Sequence, residues 1–161
     1  MTRVQRNLWG SLVVFVCLIF VAAVAQAQED DTFIQYRQKV MQTQGAVIGA
    51  IGDILKNKLP YQSHILFHAQ EIQRTSTMIP EAFKKDVAAG KTDAKAEIWK
   101  EWEKFTAAAE ALGQEAAELV KVAQSGNMEA IGVQVKKLGE ACGSCHKPYR
   151  KPKEESYKNK P

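Results

Sequence analysis

The chain has 161 residues, with 22 lysines and arginines against 18 aspartates and glutamates, and only three cysteines. Without Arg3 and Arg6, which lie in a segment predicted below to be removed, the charge surplus falls to +2. A balance so close to neutrality gives no sign of a nucleic-acid-binding protein, which would concentrate basic residues on one face.

The first 27 residues have the composition of a secretory signal peptide. Arg3 and Arg6 precede an uncharged apolar stretch over 8–25, and Ala25 and Ala27 are small residues at the positions that signal cleavage requires. The sequence therefore predicts cleavage after Ala27, export to the periplasm and no stable membrane insertion afterwards. An uncleaved anchor is the alternative, because the apolar stretch is close to the minimum length of a membrane span.

The remaining sequence shows apolar residues at steps of three and four, the spacing of amphipathic helices. The pattern predicts four helices: one over 33–55, one over about 63–78, one from near Asp93 that is capped at its end by Gly126, and one through 131–149. We therefore predict an all-α, antiparallel four-helix bundle over residues 28–151. Residues 152–161 are predicted to form a flexible basic tail, with a docking patch for an acidic partner as the alternative.

The segment EACGSCHKPYRKP at 140–152 contains the two cysteines that remain after export, Cys142 and Cys145, followed directly by His146. A disulfide is the ordinary interpretation of an isolated pair in an exported chain. A thioredoxin-type pair would lie at a helix N-terminus after a strand, and a zinc site would need about four ligands. Covalent attachment of a single haem c accounts for all three residues, with two thioether bonds and His146 as an iron ligand.

The late position of this motif, together with YRQKVM in the first helix, PYQ at 60–62 and AEIWKEWEKF at 96–105, resembles the class II c-type cytochromes, the cytochrome c′ family. The resemblance covers essentially residues 31–151. It implies that Arg37 lies near the haem and its propionates, that Arg150 lies on the histidine side, and that Met41 faces the open side of the iron.

The resemblance offers two functions, because one branch of the family has a methionine ligand and the other leaves the iron five-coordinate. Met41 favours a low-spin carrier of single electrons with His146 and Met41 as axial ligands, which is not an enzyme. Such a carrier would exchange electrons with periplasmic redox partner proteins. Gly45 and Gly49, four residues apart on one helix, would also permit the close approach of a second copy in a homodimer.

The alternative is a five-coordinate protein that binds nitric oxide or carbon monoxide at the distal face of the haem. In that case Met41 is an apolar packing residue, which is the commoner role of an inward-facing methionine. A peroxidase-like enzyme would need a distal acid–base residue, for which Arg37 alone is thin support.

Overall fold

The structure is a computed structural model that describes the backbone of residues 3–159 and the side chains of residues 26–159. Its helices are α1 (Arg3–Lys56), α2 (Gln62–Ser76), α3 (Met78–Phe83), α4 (Glu97–Lys100), α5 (Trp102–Ser125) and α6 (Met128–Tyr149). The predicted signal peptide, residues 1–27, lies outside the described side chains except for its last two residues. Within the described part of the chain, no helix is both long and apolar enough to cross a membrane.

The four long helices form the predicted four-helix bundle. Helix α1 packs on α2, α2 packs on α5, and α5 packs on α6, so that the four are neighbours in chain order. Within the described residues, α1 and α6 make no comparable contact. The bundle is therefore closed along three of its four seams and leaves a space between its first and last helices.

The closed seams are filled by branched aliphatic side chains that the helical spacing places on the inner faces. Six of these side chains are almost completely shielded from solvent: Ile51, Ile65, Ile72, Leu119, Ile131 and Leu138. Burying one such side chain contributes about 1.5–3 kcal/mol relative to leaving it exposed. The core stabilises α1, α2, α5 and α6 against one another without filling the fourth seam.

The third long helix begins later than the sequence pattern predicts. An irregular connection and the single turn of α4 occupy the chain after Asp93, and Glu101 (φ −119°, ψ 43°) separates α4 from α5. The prediction was wrong because the side chain of Asp93 bonds to a distant part of the chain, which periodicity does not register. The C-terminal end of α5 agrees with the prediction, since Gly126 caps it in the left-handed conformation (φ 69°).

The segment predicted to be a flexible tail makes defined contacts with the bundle. It forms two 3₁₀ turns, Lys153–Glu155 and Tyr157–Asn159. Between them Ser156 is buried, and its Oγ donates to Asp93 Oδ2 at 3.0 Å, while the Tyr157 amide donates to Asp93 Oδ1 at 3.0 Å. Asp93 thus holds the end of the chain against the mouth of the space between α1 and α6, which Tyr157 and Lys158 help to line.

Candidate functional site

A cavity of about 350 Å³ occupies the space between α1 and α6. Its volume lies within the range of small-molecule and cofactor sites, and bundles commonly hold cofactors between facing helices. One wall belongs to α6 and the opposite wall to α1, and both carry residues with distinctive chemistry. These residues are Cys142, Cys145 and His146 on α6, and Arg37, Met41 and Gln44 on α1.

The α6 wall brings together the three residues of the sequence motif. Cys142 and Cys145 are free thiols about one helical turn apart, and both line the cavity. Burial raises the pKa of both thiols, that of Cys145 to about 11, so both are uncharged near neutral pH. His146 is exposed in the structure, yet desolvation by the surrounding protein and, second, the positive charge of Arg150 lower its pKa. Its imidazole is therefore neutral and able to act as a ligand.

The end of α6 is fixed by backbone bonds on both sides of Pro148. The Arg150 amide donates to the His146 carbonyl at 2.9 Å, so the last turn closes although the proline lacks an N–H. The Lys95 amide donates to the Tyr149 carbonyl at 3.0 Å, and the Lys151 amide donates to the Asp93 carbonyl at 2.7 Å. His146 thus stands on a helix end that is tied to the loop before α4.

Arg37 dominates the outer part of the α1 wall and is only 2% exposed. Its Nη2 donates to the Val87 carbonyl at 2.5 Å and to Thr92 Oγ1 at 2.9 Å, and its guanidinium lies 5.3 Å from the ring centres of both Phe83 and Trp99. Burial lowers the pKa of Arg37 to about 10, which leaves it positively charged at neutral pH. Its Nη1 is buried and has no hydrogen-bond partner among the described residues.

Met41 and Gln44 form the inner part of the α1 wall. Met41 is half-buried and packs against the core while lining the cavity. Gln44 is 9% exposed, and its Oε1 has no hydrogen-bond partner. Sequence reasoning missed Gln44 as a site residue, although the signal was present: it follows Arg37 by seven residues, and so lies on the same helix face.

The cavity residues fit the haem that the sequence predicts. The two uncharged thiols on α6 can accept a covalently attached group, and apolar side chains such as Ile72, Ala109 and Leu112 surround it. The unpaired N–H of Arg37 supplies a buried cationic partner for a carboxylate edge. Within residues 26–159 no cluster of three or more histidines, cysteines and carboxylates could hold a bare metal ion, which disfavours the zinc alternative.

Comparison with known proteins identifies similar chains that align with this one over most of their length. A sequence model of the family described as Cytochrome C' matches residues 32–150. A curated cytochrome c' from Rhodospirillum rubrum is 35% identical over 79% of this chain and 87% of its own length. The solved cytochrome c prime from Shewanella frigidimarina is 27% identical, with a TM-score of 0.71 over 76% of this chain and 97% of that chain.

A further solved structure shares the fold and holds a ligand. It is the nitric oxide complex of a point mutant of cytochrome c prime from Alcaligenes xylosoxidans, 24% identical, with a TM-score of 0.69 over 77% of this chain and 97% of that chain. The family match and the curated relative contradict the predicted electron carrier with His146 and Met41 as axial ligands. That prediction was wrong because an inward-facing methionine at the expected spacing does not distinguish a ligand from a packing residue. The similarity to cytochromes c′ favours the alternative, a five-coordinate protein that binds nitric oxide or carbon monoxide.

Proposed function

Because this chain belongs to the cytochrome c′ family and binds one covalent haem c, we propose that it binds a small gas, nitric oxide or carbon monoxide. When bound, the haem would supply an iron that can take a diatomic gas as a ligand. The observation that carries the proposal is the open cavity between the histidine wall on α6 and the largely apolar wall on α1.

The proposed attachment site is the α6 wall. Cys142 and Cys145 form the two thioether bonds, and their spacing of one helical turn places both sulfurs on one side of the helix. His146 binds the iron, for which it needs a neutral ring, and its lowered pKa favours that form. The backbone bonds that tie Tyr149 and Lys151 to the neighbouring loop hold the end of α6 that carries His146.

Arg37 is proposed to bind the carboxylate edge of the haem through its unpaired Nη1. Its Nη2 already donates to the Val87 carbonyl and to Thr92 Oγ1, so the guanidinium is oriented before the haem arrives. A charge-assisted bond of this kind is stronger than a neutral one, and here it also removes the cost of an unpaired buried donor.

Met41 is proposed to pack over the free face of the haem without binding the iron. Its side chain is half-buried among core residues, which keeps it beside the cavity and narrows the space that a ligand can enter. A space narrowed by a packed side chain admits a diatomic gas more readily than a larger molecule. A bulkier ligand would have to displace the packed side chains.

The periplasm is the proposed compartment, since residues 1–27 have the pattern of a cleavable signal and cytochrome c′ homologues are periplasmic. Proteins of this family are commonly dimeric, and a homodimer is proposed here as well. Phe67 on α2 supports it, because this large apolar side chain is 64% exposed in the single chain.

The proposal is tested by absorption spectra of the purified holoprotein, oxidised and reduced, before and after addition of carbon monoxide. A high-spin spectrum that shifts with carbon monoxide is the expected result. A low-spin spectrum that carbon monoxide leaves unchanged would contradict gas binding, because it would mean that both faces of the iron are already occupied.

A further inference from the structure

Residues 151–159 follow the part of the chain that matches the cytochrome c′ family, since the family model ends at residue 150. They nevertheless reach the cavity, because Tyr157 and Lys158 line it together with Arg150. Membership of the family therefore does not account for this segment, which we name the C-terminal cap.

The C-terminal cap is held by the loop before α4. At its start, the Lys151 amide donates to the Asp93 carbonyl at 2.7 Å, and Lys151 Nζ donates to the Thr92 carbonyl at 3.0 Å. Further along, Ser156 Oγ donates to Asp93 Oδ2 at 3.0 Å and accepts from the Lys158 amide at 3.3 Å. Asp93 and Ser156 together fix the backbone that carries Lys158.

The side chain of Lys158 lies at the mouth of the cavity. Tyr157 is half-buried, and Lys158 Nζ lies 6.0 Å from the centre of its ring, at the outer limit of a cation–π contact. Lys158 itself is exposed, and within residues 26–159 no carboxylate forms an ion pair with it. The ammonium is thus placed beside the cavity without an anionic partner in that part of the chain.

The mouth of the cavity has a surplus of positive charge. Arg37 Nη2 donates to Thr92 Oγ1 at 2.9 Å, Thr92 directly precedes Asp93, and Arg150 Nη2 lies 3.9 Å from Asp93 Oδ2. Among the described residues that line the cavity, Asp93 is the only one with a carboxylate, and it already accepts two hydrogen bonds from the C-terminal cap. Three cations, Arg37, Arg150 and Lys158, therefore share one occupied carboxylate.

The opposite end of the cavity cannot hold a charged group. Its lining there is apolar and includes Ile72, Leu112 and Leu138. A haem has its two carboxylates on one edge, and burying a charge among apolar side chains without a partner is costly. The carboxylate edge is therefore expected at the positively charged mouth.

We propose that Lys158 binds a haem carboxylate and that the C-terminal cap positions it there. The inference rests on the haem of the proposed function and deepens that function, because it gives the carboxylate edge a second cation beside Arg37. The two cations differ in origin, since Arg37 belongs to the family match and Lys158 lies beyond it. An ammonium beside the haem opposes the additional positive charge of the oxidised iron, so removing it lowers the reduction potential.

The test compares Lys158→Glu with Lys153→Glu in the holoprotein. Lys153 is a matched control because it is an exposed lysine of the same cap that does not line the cavity. At an ionic strength of about 0.15 M, charges more than about 8 Å apart in solvent are largely screened, so only a lysine close to the haem should affect it. Spectroelectrochemical titration measures the effect.

At a fixed applied potential, Lys158→Glu should raise the ratio of oxidised to reduced haem roughly two- to fivefold. Lys153→Glu should leave this ratio unchanged, and Lys158→Arg should keep the wild-type value because it preserves the charge. Hydrogen exchange at the Lys158 amide should become faster in Lys158→Glu only, since the repelled side chain pulls the cap from its acceptor on Ser156. A crystal structure of the holoprotein should show Lys158 Nζ within about 4 Å of a haem carboxylate oxygen.

An equal ratio in Lys158→Glu and Lys153→Glu, or a haem carboxylate edge that lies away from Lys158 in the crystal, would overturn the role of Lys158. None of these measurements uses a gas. Failure of the wild-type protein to bind carbon monoxide would therefore contradict the proposed function alone, while the reduction potentials still decide whether Lys158 binds the haem.

Discussion

The two walls of the cavity differ in how the chain builds them. On α6, Cys142, Cys145 and His146 are nearly consecutive, so any helix at that place in the chain brings them together. On α1, Arg37 acquires its surroundings from Val87 and Thr92, which are 50 and 55 residues away. The α6 wall can be recognised from its local sequence, whereas the α1 wall acquires its chemistry only when distant segments pack.

The walls also differ in what they decide. In the proposed function the α6 wall holds the haem, because the attachment cysteines and the histidine ligand all lie on it. In the same proposal the α1 wall supplies the partner for the carboxylate edge and the surface that faces an incoming gas. A motif search on the first wall therefore identifies the cofactor but does not choose between an electron carrier and a gas-binding protein.

The substitutions with the largest expected effect are on the α6 wall, where they should abolish haem attachment. The double variant Cys142→Ser/Cys145→Ser should lose all covalently bound haem, because both thioether bonds require a sulfur. Haem staining of the denatured chain after electrophoresis and the mass of the intact protein measure this directly. Ser144→Ala, between the two cysteines, is the matched control and should retain the haem. Covalent haem in the double variant would show that attachment occurs elsewhere.

The next effect is on the outer part of the α1 wall. Arg37→Met should lower the free energy of unfolding by about 2–3 kcal/mol, because the Val87 carbonyl and Thr92 Oγ1 lose a charged partner. Urea unfolding of the holoprotein measures the change. Arg74→Met on α2, where the side chain is 71% exposed, should change stability little. Equal stability of the two variants would mean that Arg37 is not a structural centre of this wall.

A smaller effect is expected at the inner part of the α1 wall. Met41→Ala should accelerate carbon monoxide binding severalfold by widening the cavity, at a cost of about 2 kcal/mol in stability for a half-buried methionine. Stopped-flow mixing measures the rate. Met78→Ala, at a methionine that is 41% exposed, serves as the control. A rate that falls or stays constant in Met41→Ala would be inconsistent with Met41 as a packing residue over the free face.

The smallest effect concerns the mouth of the cavity. Asp93→Ala should release residues 153–159, because Ser156 Oγ and the Tyr157 amide lose their acceptors. Local opening should become easier by about 1–2 kcal/mol, which hydrogen exchange at the Tyr157 amide measures. Glu155→Ala, at an exposed position, should leave the exchange rate as it is. Rapid exchange already in the wild type would support the flexible tail that the sequence predicts.

The local sequence was sufficient to predict the long helical segments and the cofactor. Spacing at three and four residues identified the helical segments, and Gly126 ended α5 as predicted, because helix formation and capping depend on neighbours within one or two turns. The Cys142–His146 motif identified the haem for the same reason. The start of α5 was misplaced because Asp93 bonds to the C-terminal segment, 63 residues further along the chain.

The sequence by itself thus determined the all-α fold and the covalent haem, because each depends on chemistry within a few residues. Tertiary structure decided the rest. Only the packed structure shows that Arg37 Nη1 and Gln44 Oε1 are buried without a partner and that the last residues dock on Asp93. Contacts between segments far apart in the chain decide which polar groups find a hydrogen-bond partner. The local sequence does not contain that information.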